Sequence, residues 1–194
     1  MNPAFQHNTY LLKRQVFALT GKFRIYDPME NLVLYSEQKM FRLREDIRVY
    51  ADEGKTQEVL MIKARQIIDF SAAYDVMDSA SGQKVGALRR KGWRSLLRDE
   101  WEVLDVNDQI IGLLFEDSMR LALLRRFLLG SLLPQNYDLT LGTERVADLK
   151  QCFNLFAYQL DLDFSMDIAR KLDRRLGIAA GILLAAIEGK QRTE

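Results

Sequence analysis

The side chains that could perform chemistry are few, and their number limits what they can do. Cys152 is the only cysteine and His7 the only histidine in the 194 residues. A serine–histidine–carboxylate or cysteine–histidine arrangement would have to recruit His7, which sits in a polar N-terminal stretch of the kind that frays. A single cysteine forms no intrachain disulfide and cannot build a thiolate zinc site. The sequence has no glycine-rich phosphate loop, no paired-histidine helix and no EF-hand spacing. These counts predict a protein that is not an enzyme and that works without metal or cofactor.

What remains is charge. Arg89, Arg90, Lys91, Arg94 and Arg98 crowd together, interleaved with Trp93, Leu96 and Leu97. Clustered cations around an amphipathic aromatic suit an anionic membrane surface or a phosphorylated head group. Arg89, Arg90, Lys91, Trp93, Arg94 and Arg98 are therefore the candidate lipid- or anion-binding residues. The plainer reading is a solvated loop whose cations pair with Asp99 and Glu100. Over the whole chain 28 basic and 27 acidic side chains nearly cancel, so the broad positive field of a nucleic-acid binder is missing. Met1–Thr9 has neither the charged nor the apolar region of a secretory signal, which predicts a cytoplasmic protein, with peripheral membrane contact through the basic cluster.

The elements that must position this cluster follow from a unit that occurs three times: aromatic-x-Val/Ile-x-Asp, a turn, then an apolar strand. The first copy has Phe23, Ile25 and Asp27, a turn over Pro28–Asn31, then Leu32, Val33 and Leu34. The second has Tyr74, Val76 and Asp78, a turn ending at Gly82, then Val85, Gly86 and Leu88. The third has Trp101, Val103 and Asp105, a turn through Asn107 and Asp108, then Ile110, Ile111, Gly112 and Leu113. Each reads as a hairpin, with period-two apolar residues lining one face and Asp, Asn, Gly or Pro making the reversal. Further alternation puts Phe41 and Leu43 against Arg42 and Arg44, and Ile47 and Val49 against Arg48 and Tyr50. Late in the chain, Tyr158, Leu160, Leu162 and Phe164 oppose Gln159, Asp161, Asp163 and Ser165. Many short antiparallel strands with few helices favour a sandwich or a barrel within a single domain spanning 1–194.

Two segments break the alternation and predict helices. One runs over 117–133, rich in Leu, carrying Arg120, Arg125 and Arg126 and stopping at Pro134. Lying on a membrane interface or capping a barrel end would both suit it. The other runs from about Met166 to Glu188, and between Leu176 and Ile187 it has no polar side chain. A helix apolar all round must be shielded by protein or by lipid. Its apolar stretch is about 18 Å long, well short of the roughly 30 Å needed to span a bilayer. Gly177, Ala179, Ala180, Gly181, Ala185 and Ala186 keep it thin, which fits a narrow lumen. Gly177 and Gly181 also make a weak match to a membrane-dimer GxxxG face. The reading is therefore a helix buried in the protein, with no transmembrane span.

The hairpins at Tyr74–Leu88 and Trp101–Leu113, the alternating strands after them and the terminal apolar helix resemble the LURP-one-related proteins of the tubby C-terminal-like superfamily. The ending, Leu160-Asp161-Leu162-Asp163, Met166, then Leu176-Gly177 leading into a helix closed by Glu188, is similar to the C-terminus of phospholipid scramblases, of the same superfamily. The resemblance covers about Tyr10 to Glu188. It implies a mainly β fold, a closed antiparallel barrel of about twelve strands around a central apolar helix, with one additional helix. It further implies anionic phospholipid as a partner, or else a protein-interaction or structural role without lipid. The sequence departs from the scramblase pattern in two places. The lipidated cysteine cluster is missing, and Gln151, Cys152, Phe153 and Asn154 stand where a leading acidic calcium-segment residue would be.

Overall fold

Alternating residues that are apolar on one side and polar on the other need a surface to cover the apolar side, and here the sheet supplies it by closing on itself. A computed structural model of the chain describes residues 2–15, 20–39, 46–65, 72–91, 100–116, 135–152 and 157–191. A short 3₁₀ turn, Pro3–Phe5, precedes β1 (Thr9–Gln15), β2 (Thr20–Tyr26), β3 (Leu32–Lys39), β4 (Ile47–Tyr50), β5 (Glu58–Ala64) and β6 (Ala73–Asp78). Then come β7 (Lys84–Arg90), β8 (Glu100–Leu104), β9 (Ile110–Glu116), β10 (Asn136–Leu141), β11 (Glu144–Cys152), β12 (Ala157–Asp163) and the helix α1 (Arg174–Gln191). Each strand pairs antiparallel with the next, and β12 pairs with β1 from Thr9↔Asp163 to Gln15↔Ala157, closing a twelve-strand barrel. The three expected hairpins are β2–β3, β6–β7 and β8–β9. The expected helix over 117–133 and the alternation at 41–44 lie outside the described residues.

Closure needs curvature, and the turns supply it in one repeated form. The ladder slips between Ile25 and Tyr26, Val49 and Tyr50, Val76 and Met77, Val103 and Leu104, and Leu139 and Thr140, each within two residues of a reversal. An extra residue at such a bulge bends the strand and increases its twist. The repeated Asp then fixes the turn. Asp27 Oδ1 accepts the amides of Met29 and Asn31, both at 2.9 Å, and Asp105 Oδ1 those of Asn107 and Gln109, both at 2.8 Å. Glu30 and Asp108 follow in the left-handed region at φ 62° and 64°, a conformation uncommon for residues other than glycine.

The lumen holds the core. Leu12, Ile25, Leu34, Val49, Leu60, Val76, Val103, Leu139 and Leu162 point inward, and α1 runs through them with Ile178 to Ala185 almost fully buried. A Cβ on Gly177 would fall 2.4 Å from the Phe164 ring, and one on Gly181 2.9 Å from Leu162 Cδ2. These glycines thus let the helix lie against the end of β12, which overturns the membrane-dimer reading of their spacing. Among the described residues no helix is long and apolar enough to cross a membrane.

The helix begins at Arg174, not near Met166. Residues 164–173 form an irregular collar organised by Asp167, whose carboxylate accepts the amides of Lys171 (2.8 Å) and Leu172 (3.0 Å) and pairs with Arg174 Nη1 at 2.7 Å. Burial opposes ionisation of Asp167, but these three donors outweigh it and hold its carboxyl below the usual range. Arg174 stacks on Phe164, 4.9 Å from the ring centroid, and its Nε and Nη2 are buried without a hydrogen-bond partner. Arg170 sits at φ 50° and its guanidinium donates to the Gln6 carbonyl, tying the collar to the N-terminal segment. Asp173 then caps the helix, accepting the Arg175 amide on its side chain at 3.0 Å and the Leu176 amide on its carbonyl at 2.9 Å.

Candidate functional site

The meander gives the barrel two unlike ends. At one, five reversals and the collar join neighbouring elements through segments of two to ten residues, and Phe5 is buried there beneath the N-terminal segment. At the other end the strands are joined by residues 16–19, 40–46, 65–72, 91–99, 117–135 and 153–156. The candidate basic cluster belongs to this second end.

Strand alternation splits that cluster. Arg89 faces outward and places two guanidinium nitrogens 2.6 Å from Glu102 Oε2, its cross-strand partner on β8. Lys91 pairs with Glu100 at 2.5 Å and approaches Glu102 at 4.0 Å. The predicted pairing of this loop with Glu100 is therefore realised at Lys91. Arg90 has the other phase, that of Gly86 and Leu88, and stands opposite the buried Trp101. Tyr74 lies beside them, its ring centroid 6.1 Å from that of Trp101. Burial pushes the Tyr74 phenol above its ordinary value, with Arg90 acting the other way. Trp93, Arg94 and Arg98 lie outside the described residues.

Arg90 stands beside a set of residues that pattern reading missed. Arg14 of β1, Glu116 of β9 and Gln151 of β11, with Gln135 just before β10, are buried and share the phase of the apolar core. All stand at the second end, where they turn the mouth of the barrel polar. Gln151 Oε1 accepts the Gln135 amide at 3.0 Å, and Gln135 Oε1 accepts the Tyr137 hydroxyl at 2.7 Å. Arg14 lies over the Tyr158 ring, 5.8 Å from its centroid. The signal was in the sequence: Tyr10, Leu12, Arg14 and Gly112, Leu114, Glu116 each place a charge one step beyond two core positions. Deeper in the lumen the same phase carries aliphatic residues and α1.

Two other candidates resolve into structure. Asp161 and Asp163 lie outside the barrel on β12, where Asp161 accepts from Cys152 Sγ at 3.0 Å and Asp163 from the Ser165 amide at 2.8 Å. Burial, then Asp161, raises the Cys152 thiol to about 11, away from the range of a reactive thiolate. Among the described residues no group of three or more His, Cys, Asp or Glu side chains could hold a metal. A shallow cleft of about 220 Å³ at the first end is lined by Asp78, Ser81, Lys84, Val106, Asp173 and Arg175. Its cations are occupied, Arg175 by Asp173 and Asp78, Lys84 by Asp75 and Asp108.

A family model described as LURP-one-related matches residues 32–185. Among solved structures, the X-ray structure of a protein from Arabidopsis thaliana superposes with a TM-score of 0.51 at 12% identity, covering 97% of this chain and 96% of that one. At that identity the likeness shows the fold. No curated protein sequence matches the chain.

Proposed function

The chain belongs to the LURP-one-related family, and from that premise we propose that it is a non-enzymatic binding module that recognises anionic phospholipid head groups with the β7–β8 connection. The observation that carries this reading is the filled interior. Among the described residues, a lumen occupied by its own helix from Ile178 to Ala185 leaves little interior room for a substrate, which favours recognition by the outer surface and the barrel mouth. There, Arg89, Arg90, Lys91, Arg94 and Arg98 outnumber Asp99, Glu100 and Glu102. Glu102 and Glu100 engage Arg89 and Lys91, and the sequence adds Arg94, Arg98 and the amphipathic Trp93 to the same connection.

Co-sedimentation with phosphatidylcholine vesicles, with and without phosphatidylserine, tests the proposal. Binding is expected only with phosphatidylserine, to fall at high salt, and to be lost in the double variant R94E/R98E. Binding that ignores lipid charge, or that survives both changes, refutes it.

A protein-interaction role is the second reading, favoured by one hairpin. Val106, Ile110 and Ile111 are 52%, 55% and 36% exposed on neighbouring positions of β8–β9, an unusual concentration for hydrophobic residues outside a core. A stable protein partner lost in I110D, with no dependence on lipid, would favour this reading instead.

A further inference from the structure

We propose that the rim formed by the β8–β9 hairpin is a docking site for a short basic segment of another protein. The segment sets an aliphatic side chain on Val106, Ile110 and Ile111 and a lysine or arginine over the neighbouring carboxylates. This rests on the protein-interaction reading above and adds to it the chemistry of the partner.

The three hairpins repeat one unit, so each is a control for the others. Leu32, Lys84 and Ile110 are equivalent: each opens the return strand and stands opposite the residue that follows the slip, Tyr26, Met77 and Leu104. The next positions are Val33, Val85 and Ile111. In the first hairpin Leu32 is half-buried and Val33 packs on the core. In the second, Lys84 carries a charge and Val85 packs on the core. The third leaves both Ile110 and Ile111 exposed, together with Val106 of its turn. Because lysine stands at the equivalent position of the second hairpin, the fold does not require an aliphatic residue at 110. Covering these side chains with a partner's apolar surface is favourable by the hydrophobic effect.

Charge identifies the partner. Val106 also lines the cleft that holds Asp78, Asp173 and Arg175. There one guanidinium serves two carboxylates, Arg175 lying 3.1 Å from Asp78 and 2.6 Å from Asp173. Asp105, at the root of the hairpin, directs its carboxylate to the amides of Asn107 and Gln109, which carry no charge to offset it. On the far side the Gly142 amide donates to the Ile111 carbonyl, and in that neighbouring hairpin Arg145 is shared by Asp138 and Asp148. Lys84 and Arg65 reach the rim as well, but both are engaged by Asp75 and Asp108, and Lys171 by Glu144. Among the described residues the aliphatic patch is thus framed by surplus negative charge, which attracts a cation and turns away an anionic membrane. Size argues against a second copy of this chain. A stable interface buries about 800 Å² on each partner, and three partly exposed aliphatic side chains supply a small part of that. A short segment needs no more.

Selection of a phage-displayed library of random dodecapeptides on the full chain, with counter-selection on the variant I110K, tests the proposal. I110K introduces the residue that the second hairpin already carries, so its thermal unfolding midpoint is expected to match that of the parent. I111T gives an independent second variant. Retained peptides are expected to combine an aliphatic residue with lysine or arginine. Synthesised with a fluorescein label, they should bind the parent about tenfold more tightly than either variant by fluorescence polarisation, and weaken as salt rises. Retained peptides without a cation, peptides that bind the variants as well as the parent, or no retained peptide at all overturn the basic-segment chemistry. A stable protein partner that is still lost in I110D then leaves the protein-interaction reading standing. A dimer by light scattering that becomes monomeric in I110K overturns the proposal in favour of a second copy, and vesicle sedimentation lost in both variants overturns it in favour of lipid.

Discussion

The two ends of the barrel are built from the same strands but solve opposite problems. At the turn end nearly every polar group is spent on the fold. Asp27 and Asp105 hold backbone amides, Asp167 holds the collar and the first guanidinium of the helix, and Arg175 is clasped by Asp173 and Asp78. At the mouth, the buried polar side chains of Arg14, Glu116 and Gln151 occupy positions where the alternation calls for aliphatic ones. On this comparison stability is concentrated at the turn end. If so, substitutions of those turn-end polar groups should unfold the protein, and substitutions at the mouth should leave it folded.

The largest expected effect is at the helix entrance. R174M leaves the Asp167 carboxylate buried without its cation and should cost about 4 kcal/mol, read by denaturant titration. The double variant D167L/R174M should recover part of that loss, because it removes both charges but leaves the Lys171 and Leu172 amides without their acceptor. Next comes G177L, which forces a side chain into the Phe164 ring and should cost about 3 kcal/mol through overpacking. A smaller effect is expected from acid. Because the folded Asp167 carboxyl titrates below its unfolded value, its contribution is present above about pH 4 and is lost as pH falls through the lower folded value. The unfolding midpoint of the parent should therefore fall on acidification below pH 4 more than that of D167L/R174M. The smallest effect belongs to the mouth: R89A breaks an ion pair with a half-exposed arginine and should cost about 0.5 kcal/mol. A loss of several kcal/mol there would erase the distinction between the poles.

Much of the turn end was legible in the sequence, because each Asp acts within four residues of itself and leaves a local signature. Hairpins β2–β3, β6–β7 and β8–β9 and the inward face of β12 follow from that signature and from period-two alternation. The β10–β11 reversal did not announce itself in the same way. It is a two-residue turn of Gly142 and Thr143, with Gly142 at φ 57° and no Asp to mark it. The start of α1 was misplaced because Met166–Asp173 is compatible with a helix by propensity. Asp167 draws those amides to its side chain instead, and its partner Arg174 lies seven residues on. The mouth was the least legible. Lys91 and Glu100 are nine residues apart, and Arg14, Glu116 and Gln151 come together only through closure of the sheet.

That closure bears on how the protein is made. The strand that seals the cylinder onto β1 is the twelfth, and the helix that must occupy the lumen comes later still. Until then, strands that pair in order would form an open sheet with two raw edges and an uncovered greasy face, which invites mispairing with neighbouring chains. Sealing and filling must wait until both β12 and α1 have been made. The contacts that do so pair the first strand with the twelfth, so folding should be slow and dependent on chaperones.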